Sequence, residues 1–234
     1  MFRADLKNYE EVRSELRRLG RNIPKAAAMS LTWAGQAAKA AANEKTKKVF
    51  DRPTRWTTES TYLKAANART LQAVVFIKDG SIKSLAHHIE GDPRPAKASE
   101  KLLRWKGVLR GSNQYIVPSL ALRLDRYGNV PRGMMNKILS SVGAQLDRHA
   151  NTSTKSLKRN ASQGDFFVVA RQRGTHPGIY RRKGGKSNPR LDPVLMFIKS
   201  TKYRRRYPFY ETVEDSFYDA LPGAINRSID RISR

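Results

Sequence analysis

Tyr9, Val12, Leu16 and Leu19 recur at helical spacing between charged positions and Gly20 follows them, so the pattern predicts a short amphipathic helix over residues 8–19 that stops at the glycine. Asn22-Ile23-Pro24 opens a second helix, with Pro24 suited to a first turn, and the alanine-rich stretch after it predicts helix to about Phe50. One face of that helix is mainly alanine, with Met29, Leu31, Trp33 and Val49 as larger side chains, so another helix or a sheet should lie close against it. Pro53 turns Arg52 away from helical geometry and ends the element.

From Thr57 to Lys78 the β-branched and aromatic residues predict strand, clearest over 71–78 ahead of Asp79-Gly80. Residues 84–90 read as a short helix or extended turn, 91–95 as loop and 98–108 as a short helix. Residues 111–133, rich in Gly, Pro and Asn, read as loop with little regular structure. Met135, Ile138, Leu139, Val142 and Leu146 share a face of a helix over 134–146, and 151–163 is polar, basic and exposed or mobile. Strands are predicted at 166–170 and 178–181, paired across a turn, and at 193–199 as a buried strand. Phe209, Val213, Phe217, Leu221, Ile225 and Ile229 recur every four residues, the stripe of a terminal helix that Pro222-Gly223 kinks or interrupts. The chain therefore reads as one α+β domain over 1–234: an N-terminal helix pair, a small, mostly antiparallel sheet, a mid-chain helix and a long C-terminal amphipathic helix. Its long loops are 111–133, 151–163 and 181–190.

Charge changes this picture most. The 46 Lys and Arg outweigh 20 Asp and Glu, a formal +26 on 234 residues, and such a field draws polyanions or acidic protein surfaces. At 39% apolar content the chain can fill a core and is not a disordered tail. Having no cysteine, it excludes disulfide frameworks, thiolate zinc sites and cysteine nucleophiles. No apolar run approaches the roughly 18–20 residues that cross a bilayer, and the acidic start lacks a signal-peptide core. No membrane partner is expected, and synthesis and use in a cytoplasm, or in a particle assembled there, are.

The charge is uneven. Between Lys155 and Tyr210 stand 15 Lys or Arg against Asp165 and Asp192, a local +13, whereas Glu211 to Arg234 holds five acidic residues against three arginines, a net −2. Tyrosines interleave with the basic run, at Tyr180 beside Arg181-Arg182-Lys183 and at Tyr203-Arg204-Arg205-Arg206-Tyr207, a mixture suited to phosphate contact with stacking. Arg181, Arg182, Lys183, Lys186, Arg190, Lys202, Arg204, Arg205 and Arg206 are the candidate contacts to DNA or to an acidic partner. Their plainer reading is a surface between subunits, which is favoured, or solvated charge. Phe209, Val213, Phe217, Leu221 and Ile225 are the candidate subunit interface, since a basic middle and an acidic amphipathic end allow copies to dock head to tail.

Catalytic candidates are few. Gly184-Gly185-Lys186-Ser187 ends like a phosphate loop, but Tyr180 stands where the leading glycine belongs and Pro189 blocks a following helix. His87-His88-Ile89-Glu90-Gly91-Asp92 gathers imidazoles and carboxylates, yet adjacent histidines point apart and only His87 and Glu90 can share a helical face. A metal-dependent hydrolase using His87, Glu90 and His176 is the weakest reading, a buried or rim histidine pair the plain one. Neither a catalytic or metal residue nor a cofactor is assigned.

The order of features resembles a known family. Ile23-Pro24-Lys25-Ala26-Ala27-Ala28-Met29 opening a long helix, a basic turn into strands, Ala86-His87-His88-Ile89-Glu90-Gly91, the loop Leu124-Asp125-Arg126-Tyr127-Gly128-Asn129-Val130-Pro131-Arg132-Gly133, and Tyr207-Pro208-Phe209 before a last helix together span most of the chain. They resemble the minor tail and tail-completion (neck) proteins of tailed phages, of the phage lambda protein Z type, except that the 124–133 loop resembles one in uncharacterised phage virion proteins. The resemblance implies a non-catalytic virion component at the head–tail junction or tail end, assembled as a ring in the host bacterial cytoplasm. Its implied partners are other copies, a connector, tail terminator or tail tube, and packaged DNA in the channel. A free, non-specific nucleic-acid-binding protein is the alternative.

Overall fold

The computed structural model describes residues 9–159, 166–170, 174–183, 190–199 and 203–233. The protein is α+β, with a long helix near each end and small antiparallel sheets. By its contacts it divides into two compact units, Met1–Glu90 with Arg205–Arg234, and Gly91–Arg204. The first unit is discontinuous in sequence because the last helix returns to pack on the first.

Unit 1 is built on α1 (Tyr9–Val49). The two helices predicted around Gly20 are one: Gly20 and Pro24 both lie inside it. An interior glycine costs about 1 kcal/mol and a proline about 3, chiefly through a lost backbone bond and a clash with the carbonyl four residues back. Here that carbonyl belongs to Gly20, and the strong helix formers beyond Pro24 carry the helix through. Ala26, Ser30, Ala34, Ala38, Ala42 and Thr46, every fourth residue, are all buried. Against this side packs α7 (Phe209–Ser233), with Ala224 and Ser228 buried and the Ser30 and Ser228 hydroxyls 2.7 Å apart. The close neighbour that the alanines predict is thus α7. Small side chains on both helices let the backbones approach, and the paired hydroxyls satisfy each other.

After α1, Arg52 takes a positive φ of 46° ahead of Pro53, and Thr54 caps a one-turn helix, α2 (Arg55–Thr58), where the pattern predicts the onset of strand. Strands β1 (Thr61–Lys64) and β2 (Val74–Ile77) pair antiparallel, shorter than expected, with Thr61 and Ile77 buried and Tyr62 opposite Phe76 on the outer face, their rings 5.4 Å apart. Gly35 of α1 lets this ribbon in: a Cβ there would sit 2.7 Å from Leu63 Cδ1. Asp79-Gly80 follows the end of β2 and begins α3 (Asp79–Glu90). Tyr207, fully buried, donates to the Ala42 carbonyl at 3.2 Å and accepts from Thr46 Oγ1 at 3.0 Å, while the backbone N–H groups of Arg206 and Tyr207 both donate to the His88 carbonyl at 3.0 Å.

Unit 2 centres on a four-stranded antiparallel sheet in the order β3 (Tyr115–Pro118), β6 (Arg190–Ile198), β5 (Gly178–Lys183), β4 (Phe166–Val169). Around it stand α4 (Ala98–Trp105), α5 (Arg132–Ser141), a 3-10 turn at Arg148–Ala150 and α6 (Thr154–Arg159). Strand β3 lies inside the 111–133 stretch expected to be loop. Its four residues give too short a pattern to stand out, and pairing with β6 makes it a strand. Helix α5 stops at Ser141, five residues before the predicted end, because Gly143 turns at φ +67°, and Leu146 is left exposed. The central strand tolerates Pro193 because the register shifts between Ile179 and Tyr180, a bulge at which the missing N–H is not needed. Gly178 admits β6 closely; a Cβ there would meet the Leu195 carbonyl oxygen at 2.5 Å. The core gathers Leu103, Leu109, Ile116, Ile138, Ile179 and Leu195, contributed by α4, the loop after it, α5 and three strands.

Candidate functional site

The candidate basic contacts begin on the β5–β6 hairpin, where Lys183 pairs with Arg190 in register. Asp192, on β6, is the counter-charge: Lys183 Nζ lies 2.8 Å, Arg190 Nε 3.0 Å and Arg181 Nη2 3.8 Å from its carboxylate. The Lys183 ammonium first, then Arg190, holds that carboxyl below the usual range. Arg182 lies exposed over the Phe167 ring at 5.5 Å. One carboxylate against four cations leaves this end of the hairpin at a net +3. Lys186 and Lys202, the Gly184–Ser187 motif and residues 160–163 fall outside the described residues, and Arg204 is exposed. Arg205 and Arg206, predicted as surface contacts, are exposed and also make contacts within unit 1. Arg205 bonds to Glu211, and Arg206 stacks over Phe50 at 5.1 Å and donates from Nε to His88 Nδ1 at 3.2 Å.

A buried ion pair fixes the start of α4 in unit 2. Arg94 grips Glu100 with both guanidinium nitrogens, at 2.8 and 2.6 Å, and Glu100 also accepts the backbone N–H of Ile116 at 2.9 Å and of Lys97 at 2.7 Å. Burial alone would raise this carboxyl's pKa; the Arg94 bonds and the two N–H groups more than reverse it and hold it low. The carboxylate therefore ties the start of α4 to β3. At the end of α4, Arg104 donates to the carbonyls of Ser112 and Gln114, fixing the turn between them.

A cleft in the same unit encloses about 830 Å³. Val108, Val142, Val168, Pro177 and Phe197 give it apolar walls, and Lys106, Arg110, His176 and Lys199, all exposed, bring basic groups with no carboxylate among the lining residues. Three of these are placed by local geometry. The Lys106 stem crosses Gly143, the Arg110 N–H donates to Gln114 Oε1 at 2.6 Å, and the His176 carbonyl accepts the Tyr180 hydroxyl at 2.9 Å. No ion pair involves Lys106, Arg110 or Lys199 among the described residues. Basic groups converging on apolar walls suit an anionic group attached to an apolar body. The sequence held no sign of this cleft, whose residues come from four separate segments.

In unit 1, His87 and His88 are both buried, their ring centroids 4.2 Å apart, and the His88 ring meets Phe50 edge-on at 5.0 Å. Burial, then His87, then Arg206 lowers the His88 pKa to about 4. This is the buried histidine pair. Glu90 is exposed, His176 belongs to unit 2, and no cluster of three potential metal-ligating His, Asp or Glu occurs among the described residues.

The predicted interface stripe divides. Phe209 and Val213 join the core of unit 1 with Tyr207, and Phe217 and Leu221 are half-buried, but Ile225 and Ile229 are 41% and 49% exposed. A four-residue step advances about 40° on a helix, so five steps carry the stripe about 200° round. The outer face of α7 instead presents Tyr210, Glu214, Tyr218, Ile225 and Ile229, flanked by the exposed Glu211, Asp215 and Asp219. From Tyr207 to Asn226 there are four carboxylates and no Lys or Arg. Glu211 has Arg205 as its partner, whereas Glu214, Asp215 and Asp219 enter no ion pair among the described residues.

No helix among the described residues is long and apolar enough to cross a membrane. Comparison with family models, curated proteins and solved structures finds no match to this chain.

Proposed function

We propose that this chain is a structural subunit of a tailed-phage virion, acting without catalysis at the head–tail junction or tail end and assembling with its own copies into a ring. The observation that carries the reading is the segregation of charge. Unit 2 holds 24 Lys and Arg against six Asp and Glu, a net +18, while the outer face of α7 in unit 1 is acidic and aromatic. Two unlike, complementary patches on one molecule favour heterologous contacts, which close into rings where the rotation permits. Basic loops around a channel would meet packaged DNA through phosphate contact, which needs no base reading. The resemblance of its sequence features to those of tail-completion proteins supports placing such a ring in a virion, beside a connector, terminator or tail tube.

Electron microscopy of the purified protein and of the parent particle tests this: closed rings on an axial channel are expected, and particles lacking the protein should fail to join heads and tails. Normal virions formed without it would refute the role. A second reading, free non-specific nucleic-acid binding, draws on Arg182 over Phe167 and the net +3 of the hairpin. It predicts tight binding by the monomer that falls steeply with salt, and weak binding at low salt removes it.

A further inference from the structure

We propose that the cleft of unit 2 receives the outer face of α7 from a second copy of this chain, with Tyr218 entering it and Glu214, Asp215 and Asp219 meeting its basic rim. The inference rests on the self-assembly part of the functional reading and names the contact. Two observations made independently carry it. The cleft offers Lys106, Arg110, His176 and Lys199 around apolar walls and no carboxylate among its lining residues. The helix offers an exposed tyrosine, 63% accessible, among three exposed carboxylates that have no ion-pair partner among the described residues.

Copies of a protein at +26 repel one another over most of their surface. Where most approaches are opposed by like charge, the acidic helix face is a patch that reverses the sign. It is drawn most strongly to a concavity that focuses positive potential. Size is compatible: about 830 Å³ cannot admit a whole helix but holds a few side chains projecting from one. Tyrosine is the residue type that anchors such contacts, giving apolar area and a polar tip. Because cleft and helix face are different patches, each copy can engage two others, which is the geometry of a ring.

Sedimentation of the full chain reads this directly. The wild type should self-associate at low ionic strength and dissociate as salt rises to ~0.5 M. The helix triple Glu214→Lys/Asp215→Lys/Asp219→Lys and the cleft triple Lys106→Glu/Arg110→Glu/Lys199→Glu should each associate at least roughly ten-fold more weakly. Mixed in equal amounts, the two should recover association, since each then meets an opposite charge. Tyr218→Ala should weaken association while leaving the salt dependence in place, and circular dichroism confirms that each variant is folded. A triple that fails to fold is replaced by Asp215→Asn or Lys199→Gln, each expected to weaken association in the same direction. Failure of the mixture to recover overturns the proposal, as does unaltered association of either folded triple. A wild type that stays monomeric at every concentration also overturns it, yet leaves a virion role that needs a partner protein intact. A cleft triple that keeps self-association and loses single-stranded oligonucleotide binding would assign the cleft to nucleic acid instead.

Discussion

Glu100→Leu removes the carboxylate on which Arg94, α4 and β3 converge. Glu100 is 0% and Arg94 5% exposed, and the carboxylate accepts four hydrogen bonds of 2.6 to 2.9 Å. Stranding one partner of a buried ion pair costs about 3–5 kcal/mol, and leaving the Ile116 N–H without an acceptor costs about 1–3 kcal/mol. These overlap, because the site relaxes once, so the expected loss in unit 2 is about 4 kcal/mol. Arg94→Met/Glu100→Leu removes both charges and leaves only backbone donors unmet, so the double variant should be less destabilised than Glu100→Leu alone. Urea unfolding of the full chain gives the energies, and exchange of the Ile116 amide proton assigns them to unit 2. A loss under about 1 kcal/mol for Glu100→Leu, or a double variant worse than the sum of the singles, would refute the reasoning. Because folding lowers the Glu100 pKa, its stabilisation is complete above the unfolded carboxylate range, about pH 4.3, and is lost as pH falls through the lower folded value. Glu100→Gln should erase that acid limb.

Three further outcomes follow from the packing. With the His88 pKa lowered from 6.5 to about 4, the unfolded chain takes up a proton first as pH falls, so unit 1 should lose up to about 3 kcal/mol between those values; His88→Asn, which can keep an acceptor for Arg206, should flatten thermal stability across that window. Gly178→Ala should cost roughly 1–3 kcal/mol by forcing a Cβ onto the Leu195 carbonyl, whereas Gly20→Ala, with nothing within 4 Å, should raise helix content and stability by roughly 0.5–1 kcal/mol; equal effects in denaturant titrations would contradict the geometry. Ala224→Leu should push α7 off the alanine face of α1 and lower the melting temperature of unit 1, and an unchanged melting temperature would contradict close packing there.

The long helices were legible because their signals are local and repeated: the alanine run of α1 and the apolar spacing of α7 each extend over several turns. The β4–β5 pairing and the buried β6 were legible as short apolar runs near turn residues. Strand β3 was not, because four residues among glycines and prolines become a strand only when β6 pairs with them. Gly20 misled for the opposite reason, since a weak local stop is overridden by the helix formers that follow it. The basic contacts were legible as charge but not as partnership: nothing around Arg206 in sequence announces His88, which is 118 residues away.

By itself the sequence determined the α+β class, the large positive charge and its unevenness, for these depend only on which residues are present and on periods of two and about four. Tertiary structure alone decided the rest. It split the chain into two units, closed unit 1 with its own last helix, and turned the stripe of α7 so that Phe209 is core while Ile225 faces outward. It also brought Lys106, Arg110, His176 and Lys199 to one cleft. The physical reason is range: helix period and composition are set by neighbours a turn apart, whereas a cleft, a buried ion pair and the choice of buried face are set by chain segments that meet only after folding.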